Sequence, residues 1–196
     1  MSAATHQFSF NGGLLQRGFW LYVWEIAPPA RAKLYYVGRT GDSSSLNAQS
    51  PFNRMGQHLG LAKNSNTLRR HLEAQHVQPE HCLFRLVAHG PILGEVKDLE
   101  GYRKRRDIVA ALERALAVAM CEAGYKVMNT VNCRVSPDAQ QLKQIRSAFA
   151  TEFPRLRHTG AGGTSQRDSS SGFNYWGGVS STTRATRFLR RSHAYL

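Results

Sequence analysis

Two tyrosines, an arginine and a histidine fall close together early in the chain, in an order suited to cutting a phosphodiester. Tyr22 sits in Leu21-Tyr22-Val23-Trp24 and Tyr36 in Leu34-Tyr35-Tyr36-Val37-Gly38-Arg39-Thr40. Arg54 and His58 stand four residues apart in Arg54-Met55-Gly56-Gln57-His58. Hydrolysis of a phosphodiester needs an activated water, donors that neutralise charge on the transition state, and a group to hold the leaving oxygen. Arg54 offers a fixed fork of donors for phosphate oxygens. Tyr22 or His58 could take a proton from water, although a phenol with a pKa of about 10 acts as a base only beside a cation or with metal assistance. The plainer alternatives are aromatic residues filling a strand–helix interface and a polar pair on a solvated helix face.

A carboxylate could supply the metal. Glu113 lies beside an apolar stripe of Ile108, Leu112 and Leu116, where a charge is costly unless it is paired or holds a cation. An ordinary salt bridge to Arg106 or Arg114 is the competing reading.

The elements that must position these groups can be read from pattern. Phe19 to Ile26 is a nearly unbroken aromatic and β-branched run, Pro28-Pro29 ends it, and Leu34 to Thr40 resumes it, which predicts a hairpin. Phe52, Met55, Leu59 and Leu61 predict a short helix after Pro51, with Arg54 and His58 on its other face. Thr67 to Gln75 is helical, with Leu68 and Leu72 turned inward, and Cys82 to Ala88 forms a third strand. Gly90 to Gly101 reads as a loop. Ile108, Leu112, Ala115, Leu116, Ala119 and Met120 repeat at helical spacing over Asp107 to Glu122, and Gly124 stands where a left-handed cap is favoured. Ser136-Pro137-Asp138 opens a last helix, N-capped by Ser136, with Leu142, Ile145, Phe149 and Phe153 as its buried stripe. The expectation is an α/β (α+β) domain with a small three-stranded antiparallel sheet flanked by helices, a C-terminal helix and a basic tail.

Composition points to the partner. Lys and Arg number 26 against 13 Asp and Glu in 196 residues, a formal charge of +13 that suits a polyanion, nucleic acid first. No apolar run approaches the roughly 20 residues of a membrane span, and no secretory pattern opens the chain, so no membrane partner and a cytoplasmic location are expected. Cys82, Cys121 and Cys133 read as reduced packing residues. Residues 1–16 form an N-terminal arm. Residues 155–196 hold seven Arg, one acid and eighteen Gly, Ser or Thr, a composition that predicts a largely disordered tail. The run Arg103-Lys104-Arg105-Arg106 is a candidate DNA contact, as is Arg39.

In motif order, residues 17–135 resemble the GIY-YIG nuclease superfamily. Tyr36-Val37-Gly38 matches the second half of the name-giving motif, Arg54 and His58 have the family spacing, Glu113 sits in the corresponding helix, and Asn129 follows in Lys126-Val127-Met128-Asn129. The first motif reads Trp20-Leu21-Tyr22 in place of Gly-Ile-Tyr, and Val37-Gly38 selects Tyr36 over Tyr35. An insertion of about 63–101 separates His58 from Glu113. The resemblance implies a metal-dependent endonuclease acting on DNA, with Tyr22, Tyr36, Arg54 and His58 around the scissile phosphate. It also implies one Mg²⁺ (or Mn²⁺) on Glu113, with Gly38 and Asn129 as structural support. A stand-alone, restriction-type enzyme is the nearest kind, with a homodimer on a two-fold site as one assembly. DNA repair, mobile-element homing and a catalytically silent basic nucleic-acid-binding module are the alternatives.

Overall fold

The computed structural model describes residues 3–41, 46–62 and 66–157; the tail expected beyond residue 157 lies outside them. Three strands, β1 (Phe19–Ala27), β2 (Leu34–Arg39) and β3 (Leu83–Leu93), form an antiparallel sheet in the order β2-β1-β3. Among the described residues four α-helices accompany it: α1 (Pro51–Leu59), α2 (Thr67–Ala74), α3 (Leu99–Glu122) and α4 (Ala139–Ala150). The fold is α+β, as the sequence predicts.

β1 is apolar almost without alternation because both of its faces are covered. Phe19, Leu21 and Val23 join Tyr35 and Val37 of β2 on one face, packed on Leu112, Leu116 and Met120 of α3 and Phe149 of α4. Tyr22, Trp24 and Ile26 join Leu34 and Tyr36 on the other, packed on Leu68 and Leu72 of α2 and partly on Met55 and Leu59 of α1. The outer edge of β2 is closed by the chain after α3: Tyr35 N–H donates to the Lys126 carbonyl at 2.9 Å and Met128 N–H to the Tyr35 carbonyl at 2.8 Å.

Several local expectations shift. β3 runs on to Leu93 and α3 begins at Leu99, where Asp98 accepts from the Gly101 N–H, so the expected loop over Gly90 to Gly101 narrows to a short connection. The stretch 63–101 thus contributes α2 and an edge strand of the sheet itself. The α3 stripe is phased on Val109, Leu112, Leu116, Ala119 and Met120, which leaves Ile108 37% exposed. α4 is capped by Asp138, whose Oδ1 accepts from the Gln141 N–H at 2.8 Å, rather than by Ser136, and its first helical residue is Ala139. Gly124 adopts φ +77°, the left-handed end expected for α3. Cys121 is exposed, not packed. The N-terminal arm is seated: Phe10 stacks on Phe52 of α1 with centroids 4.8 Å apart, and Asn11 caps a 3-10 turn over Gly12–Leu15. No helix among the described residues is long and apolar enough to cross a membrane.

The phase of α3 gives a direct contrast. Leu116→Ala, at a fully buried position, should cost about 2–5 kcal/mol of unfolding free energy in urea. Ile108→Ala should cost less than about 1 kcal/mol in the same measurement.

Candidate active site

The candidate residues converge at the end of β2. α1 starts where Ser50 Oγ accepts from the Asn53 N–H at 3.2 Å and Pro51 takes a first-turn position that needs no donor. That start sets the phase of Arg54 and His58 one turn apart. The face they share turns inward: His58 is 2% exposed, while Leu61, expected on the apolar face, is exposed.

Tyr22 meets His58 there. The Tyr22 hydroxyl lies 2.5 Å from His58 Nε2 and donates to the Arg39 carbonyl oxygen at 3.1 Å. With its single proton committed to Arg39, the phenol accepts from His58 Nε2–H. His58 Nδ1, buried without a hydrogen-bond partner, is then a bare acceptor, which costs less than an orphaned N–H. Burial raises the Tyr22 hydroxyl far above the ordinary phenol range. Arg54 opposes that rise by its charge and by a hydrogen bond, and Tyr36 and Glu113 add to it. Burial also lowers His58 to about 3, assisted by the charges of Arg54 and His71. The site in the free protein therefore holds a protonated phenol against a neutral imidazole.

Strand alternation separates the doubled tyrosines. Tyr36 shares the Tyr22 face and stands edge-on to His58, centroids 5.2 Å apart, with His71 of α2 at 5.7 Å. Tyr35 points to the opposite face, against Tyr125 at 5.0 Å and Phe153 at 6.0 Å. Gly38 is the cross-strand partner of Tyr22, and the ring lies over it. A Cβ on Gly38 would fall 2.7 Å from Tyr22 Cζ and 2.8 Å from its hydroxyl oxygen. Asn129 holds β2 from its outer edge. Its Oδ1 accepts from the Val37 N–H at 3.0 Å and its Nδ2 donates to the Val37 carbonyl at 2.7 Å, so one side chain imitates a further strand.

Glu113 has a partner that neither sequence alternative named. Arg39 Nε donates to Glu113 Oε2 at 2.9 Å, with the two side chains 16% and 12% exposed. Arg39, expected as a DNA contact, is in this state the counter-ion of the candidate metal carboxylate. Among the described residues no group of three or more His, Cys, Asp or Glu side chains gathers, and Glu113 is the carboxylate at the site that would hold a divalent ion, together with water. That donor set fits Mg²⁺, which keeps most of its waters and takes one or two carboxylates, and the carboxylate already accommodates a cation.

The expected basic run occupies the early turns of α3. Lys104 pairs with Glu100 at 2.8 Å, Arg105 donates to the Gly94 carbonyl at 2.6 Å, and Arg106 pairs with Asp107 at 3.0 Å; Arg103 is exposed. Glu113 follows seven to ten residues later, about 10–15 Å along the helix axis. Three further side chains contribute to the site. Thr40 is fully buried, accepts from the Trp20 N–H at 2.9 Å and donates to the Gly18 carbonyl at 2.5 Å, fixing the chain just after Arg39. Gln57 accepts from Arg54 Nη1 at 2.8 Å, and His71 flanks Tyr36. A lone threonine directly after a buried strand was the available signal for the first; the other two depend on tertiary packing. A groove of about 1040 Å³ lies elsewhere, between the N-terminal arm, α1, β3 and the end of α4, and includes none of the candidate catalytic residues.

Compared with known proteins, the chain matches no family model, no curated protein and no solved structure.

Two measurements follow from the geometry. Folding lowers His58 from about 6.5 to about 3, so the unfolded chain takes up its proton first as pH falls. The stability tied to neutral His58 is complete above about pH 6.5 and drains away toward pH 3. Between pH 7 and 4.5 the wild type should lose on the order of 2–3 kcal/mol more urea stability than His58→Asn. Gly38→Ala should cost about 1–3 kcal/mol by displacing the Tyr22 ring, and should broaden or shift the Tyr22 ring signals in NMR spectra.

Proposed function

We propose that this protein is a metal-dependent endonuclease that hydrolyses DNA phosphodiester bonds, a stand-alone enzyme of GIY-YIG type and restriction-like in kind. One observation carries the reading. Side chains from β1, β2, α1 and α3, spread from residue 22 to residue 113, are joined in one network: Tyr22 lies 2.5 Å from His58, Tyr36 flanks the same imidazole at 5.2 Å, and Arg39 takes the Tyr22 hydroxyl on its carbonyl and holds Glu113 on its guanidinium. Packing alone does not require a phenol, an imidazole, a guanidinium and a carboxylate to be linked in this way. The residues come in the order that the resemblance supplies.

In this reading Arg54 grips the phosphate and Tyr36 borders the site beside His58. Tyr22 passes the proton of the attacking water to His58 Nε2, 2.5 Å away, once the imidazole carries its own proton on Nδ1, the tautomer opposite to that of the free protein. Burial first and the Arg54 charge second keep His58 a weak base in the free protein. A bound phosphodiester cancels much of that charge, so the imidazole gains basicity when substrate arrives. Mg²⁺ or Mn²⁺ on Glu113 would stabilise charge on the phosphate as a Lewis acid. Gly38 and Asn129 fix the strand end on which Tyr22 rests. The formal charge of +13 draws DNA to the surface.

A basic module that binds nucleic acid without cutting it is favoured by a different observation, the closure of Glu113 by Arg39. A plasmid-nicking assay separates the two. With Mg²⁺ or Mn²⁺ the wild type should nick or linearise DNA, and EDTA should stop it. Glu113→Ala, Arg54→Ala and Tyr22→Phe should each lower the rate by about 100-fold or more. Binding of DNA with no cleavage under any metal would establish the silent module instead.

A further inference from the structure

Arg39 joins the two halves of the site. Its carbonyl oxygen accepts from the Tyr22 hydroxyl at 3.1 Å, and its guanidinium Nε donates to Glu113 Oε2 at 2.9 Å. The ion pair is largely enclosed, so a second cation approaching the same carboxylate meets little screening from solvent. The arginine is also only partly used: Nη1 is buried without a hydrogen-bond partner among the described residues. A guanidinium fork engaged through Nε retains donors in the geometry that suits phosphate oxygens.

We infer that Arg39 is a resident cation on Glu113 that must yield before a divalent metal can bind, and that a phosphate group is what draws it away. The inference rests on the reading of Glu113 as the metal carboxylate. Metal and phosphodiester then bind cooperatively, because each favours the state in which the Arg39–Glu113 pair is broken. By linkage, the factor by which phosphate strengthens metal binding is the factor by which metal strengthens phosphate binding. Without DNA the carboxylate stays neutralised by arginine, and the metal loads only when there is a phosphate for Arg39 to hold. Arg39 is thus a positioning residue with two stations, Glu113 in the free protein and the phosphate in the complex.

Metal affinity, read without any turnover, tests this. Mn²⁺ is titrated into the full-length wild type, R39M and E113Q, with free Mn²⁺ counted by its electron paramagnetic resonance signal. Chloride and sulfate buffers of matched ionic strength are compared, sulfate serving as the phosphate probe. R39M should bind Mn²⁺ about tenfold tighter than wild type or better, and sulfate should tighten Mn²⁺ binding by about fivefold or more in wild type but not in R39M. E113Q should abolish the site. Should R39M fail to fold, the sulfate comparison on wild type decides alone. Equal affinity in the two buffers, or an R39M no tighter than wild type, overturns the role of Arg39 while loss of binding in E113Q keeps the metal reading intact. Undiminished binding by E113Q removes Glu113 as the ligand, and the inference falls with it.

Discussion

The register between β1 and β2, fixed where Tyr22 lies across Gly38, is the constraint on which the site depends. Paired residues on neighbouring strands share a face, and a slip of one residue would send the whole set to the other side of the sheet. With Tyr22 opposite Gly38 and Trp24 opposite Tyr36, the two candidate tyrosines face α1 together. A slip would set Val37 or Arg39 against the phenol, and either side chain would fill the space that Gly38 leaves for the ring. The hydroxyl is tied to the Arg39 carbonyl at the end of β2, so the ring is held above glycine at its body and by a backbone acceptor at its tip. Asn129 secures the same strand from outside through Val37. Three contacts on three consecutive residues, Val37, Gly38 and Arg39, therefore determine where Tyr22 stands.

What could be read from sequence follows the range of the interactions that set it. The hairpin of β1 and β2, the inward Leu68 and Leu72 of α2, and the left-handed Gly124 depend on neighbours within a few residues, and pattern found them. The choice of Tyr36 over Tyr35 agrees with the alternation that places Tyr36 beside His58 and Tyr35 against Phe153. The α3 stripe holds at Leu112, Leu116, Ala119 and Met120, but its first position falls on Val109 in place of Ile108, because both are β-branched and only the sheet beneath decides which is buried. The cap of α4 moved from Ser136 to Asp138 because either side chain is a good cap by type, and the backbone path after Pro137 selects between them. Local pattern offers Glu113 only the arginines of its own helix, Arg106 and Arg114, as partners. Arg39 is far away in sequence, but it ends β2 on the face of Val37 and Tyr35, which is the face that α3 covers. Strand parity could have found it once α3 was assigned to that side.

Charge compensation governs the assembled site. Among the described residues, the guanidinium groups of Arg39 and Arg54 and the carboxylate of Glu113 stand around a neutral imidazole and a protonated phenol. Breaking the buried Arg39–Glu113 pair by removing one partner would leave an uncompensated charge, at a cost of about 3–5 kcal/mol. An incoming anion changes that balance, since it offers the guanidinium an equivalent partner, and an incoming metal does the same for the carboxylate. Exchange of both partners at once keeps every charge compensated, whereas exchange of one does not.

The same reasoning connects substrate to base strength in the nuclease reading. His58 is weakened as a base by its burial first and by Arg54 second. Burial is a property of the fold and persists, but the Arg54 contribution disappears to the extent that a phosphate neutralises it. The imidazole is therefore least basic when the site is empty of anion and more basic once the scissile group is in place. Tyr22, hydrogen-bonded to the Arg39 carbonyl, feels opposite pulls: Arg54 stabilises its anion, and Glu113 destabilises it. A metal ion on Glu113 would cancel the second pull and leave the first. Charge compensation at Glu113 and at Arg54 thus bears on proton transfer through Tyr22 and His58, and the ligands that complete the site are also those that tune it.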